Sequence, residues 1–511
     1  MNLLQSRRYW PVHGVGWSAG PLHDSDLAVW RWVNPRFGEA NINCAPLHVE
    51  QKTPGYRAAA ERSLGLCSFR KYSLLTMKSL SSLLCFWLAS ILAVAGEANW
   101  PEFRGPRGNG TTPNAHLPLN WGEETNASAI KWSTPIHGKA WSSPVIWGQQ
   151  LWVTTATEDG HELFVVCVDR DTGKIVQDHK LFDIAKPQYC IPFNSYASPT
   201  PAIEEGRLYA TFGAPGTACV DTRSGKVLWS RRDLECNHYR AAGSSAILYK
   251  DFLFLNYDGS DRQYVVAFDK TTGRTVWQKE RSINFDDLGP DGKPEMEGDS
   301  RKAFATCQVA MLGGIATLLS QGSKALYAYE PVTGAELWRV EDRASYSGST
   351  RPVVGSGIVF VPSGFPSGEV LALHPGKAGE VLDVKTNASP DMQLQVRWKA
   401  RQHAPKKPSL LLMDDLLYGV EDTGVATCWE ASTGKVVWSE RIGGHFSASP
   451  LGAPGRVYCF SEEGKTTVLA AGRQFQKLAE NQLGDGFMAS PAVSGNSLFL
   501  RSRTHLYRIE N

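Results

Sequence analysis

The chain has 511 residues, 53 Lys and Arg against 51 Asp and Glu, 42% hydrophobic and 20% charged residues. That balance excludes a disordered chain, which needs more charge and fewer apolar residues, and lacks the basic excess of a dedicated nucleic-acid binder. With 48 Gly, 29 Pro and 17 Trp, the composition points to a turn-rich β protein.

Residues 1–76 show no hydrophobic period of helix or strand and read as an extension ahead of a true start at Met77, or as a disordered tail. Residues 77–95 read as a signal peptide. Lys78 gives the positive start, Leu80–Val94 the apolar stretch, and Ala93-Val94-Ala95 the small-x-small cleavage site. Fifteen apolar residues are short for a spanning helix, which needs about 20. Export to the periplasm or outside the cell follows, with membrane contact only if the segment stays uncleaved. A leader, 96–128, precedes the repeats.

From 129 to 511 one phrase recurs: apolar, Asp or Glu, two residues, Thr or Ser, Gly, then an apolar run to Trp. It stands as Val168-Asp-Arg-Asp-Thr-Gly-Lys174, Val220-Asp-Thr-Arg-Ser-Gly-Lys-Val-Leu-Trp229 and Phe268-Asp-Lys-Thr-Thr-Gly-Arg-Thr-Val-Trp277. It returns as Tyr329-Glu-Pro-Val-Thr-Gly-Ala-Glu-Leu-Trp338 and Trp429-Glu-Ala-Ser-Thr-Gly-Lys-Val-Val-Trp438, with decayed copies around Gly376 and Gly472. The glycines Gly173, Gly225, Gly273, Gly334, Gly376, Gly434 and Gly472 are 52, 48, 61, 42, 58 and 38 residues apart, about fifty per unit. Each phrase predicts strand, tight turn, strand. A second hairpin precedes it, opened by Ser or Ala before Pro or an apolar residue, as at Ser143-Pro144, Ser198-Pro199, Ser449-Pro450 and Ser490-Pro491.

Two hairpins make a four-stranded antiparallel blade. Eight opening hairpins, near 143, 198, 244, 307, 349, 408, 448 and 490, predict an all-β, eight-bladed propeller. The last blade lacks its outer strand, and Ile130-Lys131-Trp132 is expected to supply it, so that the N-terminal strand pairs with the C-terminal blade and closes the ring. These units resemble the pyrroloquinoline-quinone (PQQ)-like propeller repeats of the quinoprotein superfamily over nearly all of 96–511. The leader Trp100-Pro-Glu-Phe-Arg-Gly-Pro106 is similar to an opening found on secreted proteins of this kind. The family includes quinoprotein alcohol dehydrogenases and the non-enzymatic scaffold lipoprotein of the outer-membrane β-barrel assembly machinery.

Fixed repeat positions make Trp132, Trp229, Trp277, Trp338 and Trp438 wedge fillers between blades rather than cofactor stackers. Gln177 takes that place in the first copy, where a weaker junction is expected. Cys167, Cys219 and Cys428 stand six residues before a repeat glycine, where Ala267 and Ala328 also occur, and so read as small core residues. Cys190 and Cys236 lie in successive inter-blade loops and form a possible disulfide. No vicinal cysteine pair, haem-attachment motif or zinc pattern is present, and no catalytic residue or metal ligand can be assigned.

Loops entering the inner strands should crowd one channel mouth. The binding candidates there are Asn194, Ser195, His238, Arg240, Arg351 and His445. Asp258-Gly-Ser-Asp261 reads as a turn, 284–299 as a solvated loop and 376–407 as a second insertion, with either insertion a candidate partner-docking segment. The expected function is a monomeric, exported binding or scaffold propeller of the periplasm or cell envelope, with envelope proteins or a small ligand as partner and no cofactor. The alternatives are a PQQ- and calcium-dependent alcohol or sugar dehydrogenase, and carbohydrate or small-ligand binding in the channel.

Overall fold

A computed structural model describes residues 99–122, 126–366, 368–386 and 388–511. The extension 1–76 and the signal segment 77–95 lie outside the described residues. The rest forms eight antiparallel blades, seven of four strands and one of five. Their innermost strands are Val145–Trp147, Ala202–Glu204, Ile247–Tyr249, Gln308–Leu312, Val353–Gly355, Leu411–Met413, Leu451–Ala453 and Ala492–Ser494, and define blades 1 to 8. In blade 8 the fourth strand is Ile130–Pro135, which pairs with His505–Ile509 from the other end of the chain.

The repeat phrase folds by local chemistry. Asp169 accepts the backbone N–H and the hydroxyl of Thr172 at 2.8 and 2.7 Å, and Gly173 N–H returns to Asp169 O at 2.9 Å. Asp221, Asp269 and Glu330 repeat that turn with Ser224, Thr272 and Thr333. Across each hairpin the small residue faces the outer-strand ring: Cys219 pairs with Trp229, Ala267 with Trp277, Ala328 with Trp338 and Cys428 with Trp438. A larger side chain would meet the indole.

The ring then reaches the next blade. Trp132, Trp229, Trp277 and Trp398 donate Nε1–H to the carbonyls of Arg170, Lys270, Pro331 and Ala431, each three residues before a repeat glycine. In blade 1, Gln177 Nε2 donates to Thr222 O at 2.8 Å, the same place in the turn, and the His179 imidazole lies against Gly225. The expected weak junction therefore keeps its hydrogen bond and gains a smaller ring.

The glycines are needed for two reasons at once. Gly434 has φ +73°, and a Cβ there would stand 2.5 Å from the Trp398 ring. Gly434→Ala should cost about 2–4 kcal/mol, combining left-handed strain with overpacking. Chemical denaturation checks this, and a loss below about 1 kcal/mol contradicts the docking of ring on turn.

The segment 376–407 is built into two blades rather than inserted beside them. Glu380–Asp383 adds to blade 4 as a parallel fifth strand, and Gln395–Ala400 is the outer strand of blade 5, carrying the repeat tryptophan Trp398. The segment 284–299 folds back through an Asp287–Arg301 ion pair and ends in the short turn Glu295–Arg301 beside the channel.

Candidate functional site

Antiparallel blades give the propeller two unlike faces. The tight repeat turns lie on one, and the inter-blade loops crowd the other. On the turn face the leader closes the channel. Trp100 exchanges two backbone hydrogen bonds with Ile146 of blade 1, Pro101 O accepts from Ile203 of blade 2, and Gly110 and Thr112 bracket Gly452 of blade 7. Between these anchors Arg104 Nη2 donates to Leu410 O at 2.6 Å, and Glu102 Oε1 accepts from Arg351 Nη2 at 2.6 Å. Burial, with Arg351 alongside, lowers the Arg104 pKa to about 9.

Above the leader runs a crown of hydroxyls, one from the residue two ahead of the inner strand in every blade but the fifth. Ser143 N–H donates to Thr200 Oγ1, Thr200 N–H to Ser245 Oγ and Ser245 N–H to Thr306 Oγ1, at 2.9–3.0 Å. On the other side Arg351 N–H donates to Ser409 Oγ, Ser409 N–H to Ser449 Oγ, Ser449 N–H to Ser490 Oγ and Ser490 N–H to Ser143 Oγ, at 2.9–3.0 Å. Pro144, Pro201, Pro352, Pro450 and Pro491 follow crown residues, which removes backbone N–H groups from the channel edge. Blade 5 alone has no hydroxyl here: Arg351 occupies the place and turns toward the leader.

The crown is the base of a cavity of about 450 Å³ that opens on the loop face. Phe103 of the leader lines it, with Trp141, Phe193, Tyr346 and Phe365 on the walls. Four cations reach it, Arg240, Lys302, Lys406 and Lys407, against the carboxylates of Asp299 and Asp422. Asp299 is held by Arg240 Nη2 at 3.2 Å and by the ammonium of Lys302, whose side chain is 1% exposed. Burial and the Arg240 guanidinium lower the Lys302 pKa to about 7. Asp422 Oδ1 accepts the backbone N–H groups of Lys406 and Lys407 at 2.9 and 3.2 Å. Lys407 Nζ stands 4.7 Å over the Phe193 ring and Lys406 Nζ 5.9 Å over Phe365.

The six candidates separate. Asn194 and Arg240 line the cavity, and Asn194 Nδ2 donates to Arg240 O at 2.8 Å. Ser195 is buried behind it, 2.8 Å from Ser198 Oγ. Arg351 meets a carboxylate, but one belonging to the leader. His445 lies on the exposed rim and pairs with Glu463 at 2.8 Å.

His238 is buried and accepts the N–H of Ala214 on Nε2 at 3.0 Å, and burial lowers its pKa to about 4. An unfolded histidine takes its proton near pH 6.5, so stability is complete above that and falls as pH drops toward 4. The loss at pH 4 should be on the order of 3 kcal/mol. His238→Gln, which retains an acceptor, should flatten this part of the pH–stability curve; an unchanged slope would show that another group carries it.

Cys190 and Cys236 are both free thiols, a correction to the disulfide expectation. The Cys236 sulfur, in the loop entering blade 3, faces His238 Nδ1 at 3.7 Å, whereas Cys190 borders a separate loop pocket with Lys139 and Tyr196. Asp299, Lys302, Lys406 and Lys407 escaped the sequence reading as site residues because they lie in or beside the two insertions.

A quinone–calcium centre needs carboxylate or amide ligands gathered on one point. In this cavity Asp299 is taken by two cations and Asp422 by backbone N–H groups. Among the described residues no three His, Cys, Asp or Glu side chains stand together. The donor set present does not fit a divalent cation.

Residues 137–279 and 393–474 match the family model described as outer membrane protein assembly factor BamB. Three solved structures share the fold. A europium-containing methanol dehydrogenase aligns with TM-score 0.58 and 12% identity, over 82% of this chain and 92% of its own. BamB from Moraxella catarrhalis aligns with TM-score 0.51 and 14% identity, over 75% and 97%. The quinohemoprotein alcohol dehydrogenase from Comamonas testosteroni aligns with TM-score 0.57 and 12% identity, over 81% of each chain. A search of the curated proteins found no match. At these identities the likeness is one of fold, and both enzymes and a BamB share it.

Proposed function

Starting from a propeller of PQQ-like repeats, we propose that the chain is an exported, non-catalytic binding module of the cell envelope, working through the cavity on its loop face. The observation that carries this reading is the commitment of every acid in the cavity. Oxidation of an alcohol requires a base within reach of the hydroxyl proton. Asp299 and Asp422 are held by cations or backbone donors, and His238 accepts a backbone N–H outside the cavity. The leader stoppers the other end of the channel, so the site is a cup with one entrance, suited to holding a ligand. Export is supported by the apolar segment Leu80–Val94 and its small-x-small site.

The test is titration of PQQ with calcium into the purified full chain, following quinone absorbance and melting temperature together. Absence of saturable binding at tens of micromolar is expected. Saturable binding with a stabilised fold would overturn the reading in favour of a quinone-dependent oxidoreductase.

A further inference from the structure

The base of the cup has a surplus of hydrogen-bond donors. Ser143, Thr200, Ser245, Thr306, Ser449 and Ser490 all line the cavity and are at least nine-tenths buried. Each hydroxyl oxygen already accepts a backbone N–H from the neighbouring blade. Among the described residues none of these six hydroxyls donates its own proton to a partner. A hydroxyl used in this way has its proton left to give, and what lies before it is the cavity. Six such groups around one axis select an acceptor-rich ligand group.

Charge points the same way. Four cations line the cup against two carboxylates; Arg240 and Lys302 share Asp299, Lys407 pairs with Glu462 behind the wall at 2.8 Å, and Lys406 has no acidic partner among the described residues. Beneath the crown lie two more guanidinium groups: Arg351 pairs with Glu102, Arg104 donates only to the carbonyls of Asn109 and Leu410, and Arg104 Nε and Nη1 and Arg351 Nε have no partner among the described residues. A buried surplus of positive charge is costly until an anion meets its field. The walls add a second requirement. Phe193 and Phe365 are 46% and 48% exposed, and Asn194, Ser198, Ser347 and Ser447 place amide and hydroxyl groups between the aromatic rings. Flat apolar surface interleaved with small polar groups suits a pyranose ring, whose faces are apolar and whose rim carries hydroxyls. The cavity volume falls in the range of small-ligand sites.

We propose that the cup binds an acidic saccharide, with a uronate carboxylate seated over the hydroxyl crown and its sugar rings against the aromatic walls. This rests on the reading of the chain as a binding module and names the chemistry of its ligand.

Calorimetry on the purified full chain, with trigalacturonate and with its neutral methyl ester, tests the proposal. Saturable binding of the acid is expected, with the ester at least tenfold weaker and the acid's affinity falling as salt rises. Ser245→Ala with Thr306→Val, which removes two crown hydroxyls, should weaken the acid at least tenfold. Lys406→Gln with Lys407→Gln, at the cup's outer edge, should weaken it severalfold even if the crown variant folds poorly. Equal binding of acid and ester would overturn the anion seat while leaving a binding module. Failure of both at millimolar concentration would overturn the saccharide. Quinone and calcium binding in place of either would overturn the binding module itself.

Discussion

Replacing Arg281 by alanine should lower the stability of the protein by about 3–5 kcal/mol, because it strands a buried carboxylate. Asp258, at the end of the second strand of blade 3, is 0% exposed, and Arg281 is 1% exposed. The guanidinium grips both carboxylate oxygens, Nε to Oδ1 at 2.8 Å and Nη2 to Oδ2 at 2.7 Å. Its remaining face donates to Ser320 Oγ at 2.9 Å and stacks 4.8 Å from the Tyr327 ring centre, joining blade 3 to blade 4. Burial pushes the Asp258 carboxyl above its ordinary pKa, and Arg281 opposes that shift. With the arginine gone, the carboxylate must be protonated or flooded. Asp258→Asn combined with Arg281→Met should recover most of the loss, since removing both charges removes the penalty. Urea denaturation of the two variants decides it: a loss below about 1 kcal/mol in Arg281→Ala would contradict the buried pair.

Deleting Ile130–Trp132 should cost about 3 kcal/mol or more, the low end of the range for losing a large aromatic ring, because Trp132 is half-buried against the core. The strand does two jobs at the seam between the chain's ends. It pairs with His505–Ile509, setting Trp132 opposite Arg508 and Thr134 opposite Leu506. It also docks blade 8 on blade 1, where Trp132 Nε1 donates to Arg170 O at 3.0 Å and its ring lies against Gly173. Removing it bares the edge of His505–Ile509 and undoes one of the inter-blade junctions. Scanning calorimetry should show a marked fall in melting temperature; an unchanged value would contradict the role of this strand.

The blades were legible because their turn is local chemistry. An acidic side chain three residues before Thr or Ser, followed by Gly, folds without help from distant parts, so Asp169, Asp221 and Asp269 announce their turns in sequence. The outer strand of blade 5 hid for the converse reason. The third strand, Val370–His374, is parted from it by the excursion that gives blade 4 a fifth strand, so Trp398 stands far from Gly376. The cup was legible only in part. Asn194 and Arg240 followed from their place in loops entering inner strands. Asp299 and Lys302 did not, because an acidic, Gly- and Pro-rich stretch looks solvated until its end is seen beside Arg240. The crown had a signal that was half visible, Ser or Thr ahead of Pro. Which hydroxyl joins the crown depends on the register of the inner strand: in blade 2 it is Thr200, not Ser198. Arg351 stood out because it interrupts that series, yet its partner Glu102 lies 249 residues away.

The most direct measurement is a crystal structure of the full chain grown with trigalacturonate. Difference density is expected in the loop-face cup, with a carboxylate over Ser245 and Thr306 and a sugar ring against Phe193 or Phe365. A saccharide bound elsewhere on the propeller, with the cup left to solvent at saturating ligand, would contradict it.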